Sequence, residues 1–173
     1  MTPYHVIHIQ DPARRSEVAA DILRQLPDWF GLPESTANYI SECASLPVWA
    51  AMAGEEPLGF ISLKRTAPQA SEIHCMGVLP GSHRQGIGRA LLAAALKHCR
   101  AAGDILLQVK TVDQGHYPEY DRTIAFYEAM GFIRLEVFPE LWDPWNPCLQ
   151  LVLPIYAQDA GPPTSPSILH SAL

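Results

Sequence analysis

The run LPGSHRQGIGRALL, Leu79 to Leu92, sets two glycines one residue apart among basic side chains, at the opening of an apolar helix. Backbone N–H groups that converge at a helix N-terminus can hold an anion, above all a phosphate. Gly86 and Gly88 remove side chains that would block its approach, Arg84 and Arg89 offer charge, and His83 offers a hydrogen bond. The expected cradle is therefore His83, Arg84, Gln85, Gly86, Ile87, Gly88 and Arg89. It is not a P-loop, since no Gly-Lys-Ser/Thr follows, and the wider G-x-G-x-x-G of dinucleotide binders is absent. On this stretch alone, an anion cradle and a plain strand-to-helix junction stand level.

Just upstream, SEIHCMGV carries a second chemical cluster. Two residues apart on a strand, Glu72 and His74 share a face, while Ile73 and Cys75 point into a core. A carboxylate at Glu72 could take a proton from an amine, anchor a cation, or simply sit at an exposed strand end. His74 competes as the base, with an ordinary pKa near 6.5 that suits neutral pH, or it is a half-buried core histidine. His74 and Cys75 are expected on opposite faces, so they make no metal pair, and no metal site is expected. Trp29 and Phe30 either cover a core edge or line a pocket. Tyr117 and Tyr120 belong to a polar aromatic loop, VDQGHYPEYD. Trp142 lies in ELWDPWNPC, which reads as a cleft wall, a core cap or a homodimer contact.

The elements that must position these residues follow from periodicity. His5 to Gln10 reads as a strand. A helix from Asp11 or Pro12 carries Val18, Ile22, Leu23 and Leu26 on one face, and a short helix starts near Ser35. Pro47 to Met52 and Leu58 to Leu63 are strands around the turn AGEEP, and Glu72 to Val78 is a third. A helix from about Gly88 to Ala101 is stopped by Gly103. Ile105 to Thr111 is a buried strand, Arg122 to Met130 a helix closed by Gly131, and Phe132 to Phe138 and Cys148 to Ile155 are the last strands. The two tryptophans fall in the loop between these. The order gives an α/β fold with a mixed, mostly antiparallel central sheet of about seven strands flanked by about four helices.

Two motifs together, V-x-P-x-x-H-R-Q-G-I-G-x-x-L-L and the later F-Y-E-A-M-G-F at Phe126 to Phe132, resemble the GNAT superfamily of acyl-CoA-dependent N-acyltransferases. The element order is similar to that fold from about His5 to Ile155. The resemblance implies that acetyl-CoA is the co-substrate, its pyrophosphate over Gln85 to Gly88 and its pantetheine arm along the backbone near Met76 and Val78. It implies a splay between that strand and the next, and Tyr127 as the group that protonates or hydrogen-bonds the CoA sulfur. Glu72 falls where some relatives carry a glutamate base. His83 stands where the family usually has Arg or Gln, and Tyr120 where it often has an asparagine. The implied partner is an amine acceptor: a small cationic one on the charge of the chain, with an aminoglycoside, a protein N-terminus or a lysine left open. Acceptor contacts are expected at Trp29, Phe30, Tyr117, Tyr120 and Trp142. A different class, an acyl-CoA-binding protein without turnover, is the alternative those two departures leave standing.

Composition bounds the rest. With 173 residues, 48% hydrophobic and 17% charged, the chain suits one mixed domain, read as 1–156, followed by a flexible Pro/Ser-rich tail, 157–173. A net charge of −6 argues against nucleic acid as a general partner. The start lacks a secretory pattern and no apolar run is long enough to span a membrane, so a cytoplasmic location and four reduced cysteines are expected.

Overall fold

The computed structural model describes residues 3–155, and the tail 157–173 lies outside the described residues. Strand β1 (His5–Ile9) leads into helix α1 (Pro12–Leu23), where the Asp11 carboxylate accepts the Arg14 N–H at 2.9 Å and Pro12 opens the first turn. Helix α2 (Pro33–Cys43) follows. Strands β2 (Val48–Ala53), β3 (Glu56–Ala67) and β4 (Ala70–Val78) form a meander. Then come α3 (Ile87–Ala101), β5 (Leu106–Val112), α4 (Pro118–Ala129), β6 (Ile133–Asp143) and β7 (Asn146–Pro154). The seven strands make one sheet in the order β1-β2-β3-β4-β5-β7-β6, antiparallel throughout except for the β4–β5 pair.

Both faces of the sheet are covered except at the edge strand β6, which is largely exposed. Val18, Ile22, Leu23 and Leu26 of the α1 segment pack with Cys43 on Val48, Ala50 and Phe60. On the other face Leu91, Leu92, Ala95 and Cys99 of α3, with Ile124 and Tyr127 of α4, pack on Ile61, Ile73, Leu107 and Leu149. Gly103 (φ 77°) and Gly131 (φ 93°) end α3 and α4 in the left-handed region, as their positions in the sequence imply.

Strand β3 outruns the expected Leu58–Leu63 at both ends and β4 starts two residues early, and two further shifts bear on the candidate residues. Helix α4 begins at Pro118, so Tyr120 stands on its first turn instead of in a loop; proline pre-sets the helical φ there, and Glu119 and Asp121 favour the positive helix end. The proline-rich ELWDPWNPC is no open loop: β6 runs to Asp143 and β7 restarts at Asn146. The Asp143 carboxylate holds the tight turn by accepting the N–H groups of Trp145 and Asn146 at 2.8 and 2.9 Å. All four cysteines are buried free thiols. Among the described residues, no helix is long and apolar enough to cross a membrane.

Candidate active site

Strands β4 and β5 pair only from Ala70–Leu106 to Ile73–Val109, although β4 continues to Val78 and β5 to Val112. Beyond Ile73 they part, and a wedge opens at the centre of the sheet. The cause is visible on the β3 side. There Ser62 faces Cys75 and Leu63 faces Ile73, so His74 is an extra residue, a β-bulge. A bulge bends its strand and adds twist, and this one sits at the first residue beyond the last β4–β5 pair. It also reverses the alternation. Ile73 joins the core under α3, whereas Cys75 joins the core under α1 and α2. His74 meets α2 through Glu42 and Tyr39. Strict alternation had put Ile73 with Cys75, and His74 opposite Cys75; the bulge overturns both expectations.

The wedge exposes backbone. The Leu79 N–H donates to the Leu58 carbonyl at 2.9 Å, so alternation along β4 turns Cys75 and Gly77 toward β3 and the N–H and C=O groups of Met76 and Val78 toward the gap. One of these is already taken. His83 Nε2–H donates to the Val78 carbonyl at 2.8 Å, with the Trp29 ring edge-on to it at 6.3 Å. The sequence assigned His83 to an anion; the structure turns it back onto the strand end, since that carbonyl has lost its β-sheet partner.

From there the chain makes a 3₁₀ turn at Pro80–Ser82 and enters α3 through two left-handed residues, Arg84 (φ 58°) and Gly86 (φ 83°). Glycine adopts this freely; an arginine held there costs about 1 kcal/mol, a strain typical of functional loops. No side chain caps α3, and the first helical bond is Ala90 N–H to the Gly86 carbonyl at 3.0 Å. The N–H groups of Ile87, Gly88 and Arg89 therefore lie ahead of the helix ladder. The exposed Arg84 and Arg89 form no ion pair among the described residues. Gln85 Nε2 donates to the Gly81 carbonyl at 3.1 Å, while its Oε1 is enclosed without a partner. Ile87 offers only its backbone, because its side chain is in the core. Gly88 has a different reason from Gly86: a Cβ there would lie 3.1 Å from the Phe126 ring.

Tyr127 of α4 closes the wedge from the α3 side. Its ring packs edge-on between Phe126 and Phe132, at 5.3 and 5.2 Å, and its hydroxyl reaches the Met76 sulfur at 3.9 Å. Burial pushes its pKa well above the ordinary tyrosine value, so it remains a proton donor at any physiological pH. A parted β4–β5 pair, an uncapped glycine loop and a buried tyrosine hydroxyl at a sulfur suit an acyl-CoA thioester.

Residues 15–132 match the family model for the acetyltransferase (GNAT) family. The chain belongs to that family. It is 36% identical over 77 residues to the N-alpha-acetyltransferase RimI of Mycobacterium tuberculosis, an alignment spanning 44% of each protein. It is 33% identical over 89 residues to the mycothiol acetyltransferase of Streptomyces scabiei, covering 50% of this chain and 27% of that protein. The chain thus spans less than half the length of these curated relatives. Among solved structures, a putative GNAT-family acetyltransferase from Desulfovibrio desulfuricans superposes with a TM-score of 0.73 at 20% identity, covering 89% of this chain and all of that one. At that identity the likeness is one of fold.

The side of the wedge away from α3 is built by α2, β4, β5 and the start of α4. Glu72 binds Lys110 Nζ through Oε2 at 2.7 Å and lies 3.5 Å from Gln108 Nε2. His74 Nε2 lies 2.7 Å from Glu42 Oε2, and the Tyr39 ring stands edge-on to the imidazole at 5.2 Å. The Nε2–Glu42 approach is close but poorly aligned for a hydrogen bond, and Nε2 is fully enclosed. Burial lowers the His74 pKa below 6.5, against an upward pull from Glu42, so the ring is neutral at pH 7. Phe30 meets Tyr39 at 5.9 Å. Tyr120 donates to the Trp29 carbonyl at 2.6 Å, the Trp29 indole N–H donates to Thr123 Oγ1 at 3.2 Å, and Tyr117 lies against Tyr120 at 5.9 Å. Burial raises the Tyr120 pKa to about 12. It stands where the family often has asparagine, and here it ties α4 to the α1–α2 connection.

Thus Trp29, Tyr117 and Tyr120 form one connected network on this side, and Phe30 links instead to Tyr39 and through it to His74. Trp142 does not join it; it lies 45% exposed on the β6–β7 hairpin, with no ring contact or side-chain hydrogen bond among the described residues. Tyr39, Glu42 and Lys110 contact the candidate residues His74 and Glu72, and sequence reasoning missed them. Lys110 left a signal, the polar alternation Gln108–Lys110 against Leu107 and Val109, and Tyr39 and Glu42 share a helix face at i, i+3. Cys75 is a poor nucleophile, since burial holds its thiol well above its ordinary pKa and the Met76 N–H offsets this only in part. No cluster of metal-ligating side chains occurs among the described residues.

Proposed function

We propose that this chain is an N-acetyltransferase that moves an acetyl group from acetyl-CoA to a primary amine by direct transfer in a ternary complex. The observation that carries the reading is the parting of β4 from β5 after Ile73, with the Tyr127 hydroxyl buried at the gap. The residues present fit the co-substrate. Backbone N–H groups of Gln85 to Arg89, with the Arg84 and Arg89 side chains, would hold its pyrophosphate. The backbone groups of Met76 and the Val78 N–H, which no strand pairs, would hold its pantetheine arm, and acetyl-CoA supplies the thioester. His74, neutral and facing α2, takes one proton from the incoming ammonium and returns it to water. As nitrogen bonds to the carbonyl carbon, a backbone N–H at Met76 stabilises the growing charge on oxygen. When the carbon–sulfur bond breaks, Tyr127 gives its proton to the sulfur, and the second amine proton restores the phenol. Glu72, bound to Lys110, orders the acceptor wall instead of acting as the base.

The acceptor is a small cationic amine. The rings of Tyr39, Phe30 and Tyr120 offer faces that favour an ammonium group, and Glu42 and Glu72, each near a lysine (Lys64 and Lys110), offer carboxylate oxygens for its N–H groups. Thiol release from acetyl-CoA across polyamines, aminoglycosides, amino acids and short peptides tests this. Tyr127→Phe should lower kcat by about 100-fold with acetyl-CoA affinity unchanged. Full activity in Tyr127→Phe would remove the tyrosine from the chemistry, and preference for uncharged or peptide acceptors would overturn the assignment of acceptor.

A further inference from the structure

The base assigned to His74 leaves unexplained what holds its ring. The histidine occupies a bulge, where the strand by itself fixes side-chain direction least. Polar groups reach it from three elements: Tyr39 and Glu42 from α2, Lys64 from β3, and Glu72 from its own strand. Of these Glu42 alone is placed against a ring nitrogen, 2.7 Å from Nε2, and its same Oε2 lies 3.7 Å from Lys64 Nζ. Tyr39 and Glu42 lie three residues apart on α2, so one helix face brings a ring edge and a carboxylate onto the imidazole together.

A carboxylate can only accept. Beside Nε2 it favours the tautomer with the proton on Nε2 and leaves the Nδ1 lone pair available. Among the described residues, no protein group hydrogen-bonds Nδ1. We propose that Glu42 is a positioning residue for the acetyl transfer: it fixes the tautomer and orientation of His74 so that Nδ1 receives the proton of the acceptor amine. This rests on His74 being the base. The Nε2–Glu42 approach is poorly aligned here, and catalytic hydrogen bonds often tighten only when substrate arrives.

Glu42→Gln, Glu42→Asp and His74→Gln, made in the 173-residue chain, test it in two independent ways. Histidine ring ¹⁵N–¹³C correlation spectra, recorded from pH 5 to 8 without ligand, read the tautomer and titration midpoint of His74. Wild type and Glu42→Asp should show the Nε2–H form; Glu42→Gln should show mixed tautomers and a midpoint moved to lower pH, because the charge that raises it is gone. Turnover of acetyl-CoA with an amine from the panel above should fall between about 10- and 100-fold in Glu42→Gln, as for other carboxylates that orient a histidine. The acid limb of kcat/KM should move the same way, and Glu42→Asp should recover most of the rate. An unchanged tautomer and midpoint in Glu42→Gln would overturn the positioning role. Full turnover in His74→Gln would instead sink the base assignment, whatever the spectra of the Glu42 variants.

Discussion

Replacing Gly88 by alanine separates the two glycines of the loop. The added methyl would sit 3.1 Å from two Phe126 ring carbons and 3.5 Å from Met76 Cε. Carbon atoms settle at about 3.5–4.0 Å, so the ring has to retreat by roughly half an ångström. Tyr127 packs on that ring, with centroids 5.3 Å apart, and limits how it can move. Overpacking of this kind costs about 1–3 kcal/mol, while alanine regains at most about 1 kcal/mol of helix propensity. The expected net loss is about 1 kcal/mol, seen in urea unfolding as a lower midpoint with unchanged slope. Phe126→Leu makes room, so the double variant should be more stable than the two single changes predict by about 1 kcal/mol. Calorimetric titration with CoA should show affinity falling in Gly88→Ala and returning in the double variant, because the methyl acts through the ring. Strict additivity in stability, with CoA affinity lost equally in the single and double variants, would refute this; the bare backbone of Gly88 would then matter for the ligand and not for packing.

Two further outcomes follow from the site. Lys110→Met leaves the half-buried Glu72 carboxylate without its partner and should lower stability by about 1–3 kcal/mol, whereas Glu72→Gln/Lys110→Met should recover most of it; equal losses in both would mean the pair is energetically idle. The His74 pKa is lowered on folding, so below pH 6.5 the unfolded chain binds a proton that the folded one refuses. Stability should therefore fall as pH drops through 6.5 and level off below the folded value, and His74→Gln should flatten that part of the curve; an unaltered slope would assign it to other groups.

Much of this protein was legible in the chain because the relevant chemistry is local. Gly86, Gly103 and Gly131 mark left-handed positions that neighbouring residues announce, the helix faces of α1 and α3 repeat with helical period, and Tyr127 sits inside a contiguous motif. Element order then followed, and with it the sheet. What the tertiary structure decided is everything that depends on register or on two distant elements. The bulge at His74 comes from a mismatch between β3 and β4 that no single-strand alternation can reveal, and it sends Cys75 to the opposite core from Ile73. Lys110 reaches Glu72 only because β5 runs parallel to β4 for its first few residues before leaving it. Gly88 looked like a gap for an anion; packing fills that gap with Phe126, thirty-eight positions along the chain. Glu42 meets His74, and Tyr120 meets Trp29, across separations of 32 and 91 residues. Sequence carries the inventory and the local geometry, since these depend on backbone preference and neighbouring side chains. Partnerships are set by how layers pack, and most of the proton-handling groups of this site are partnerships.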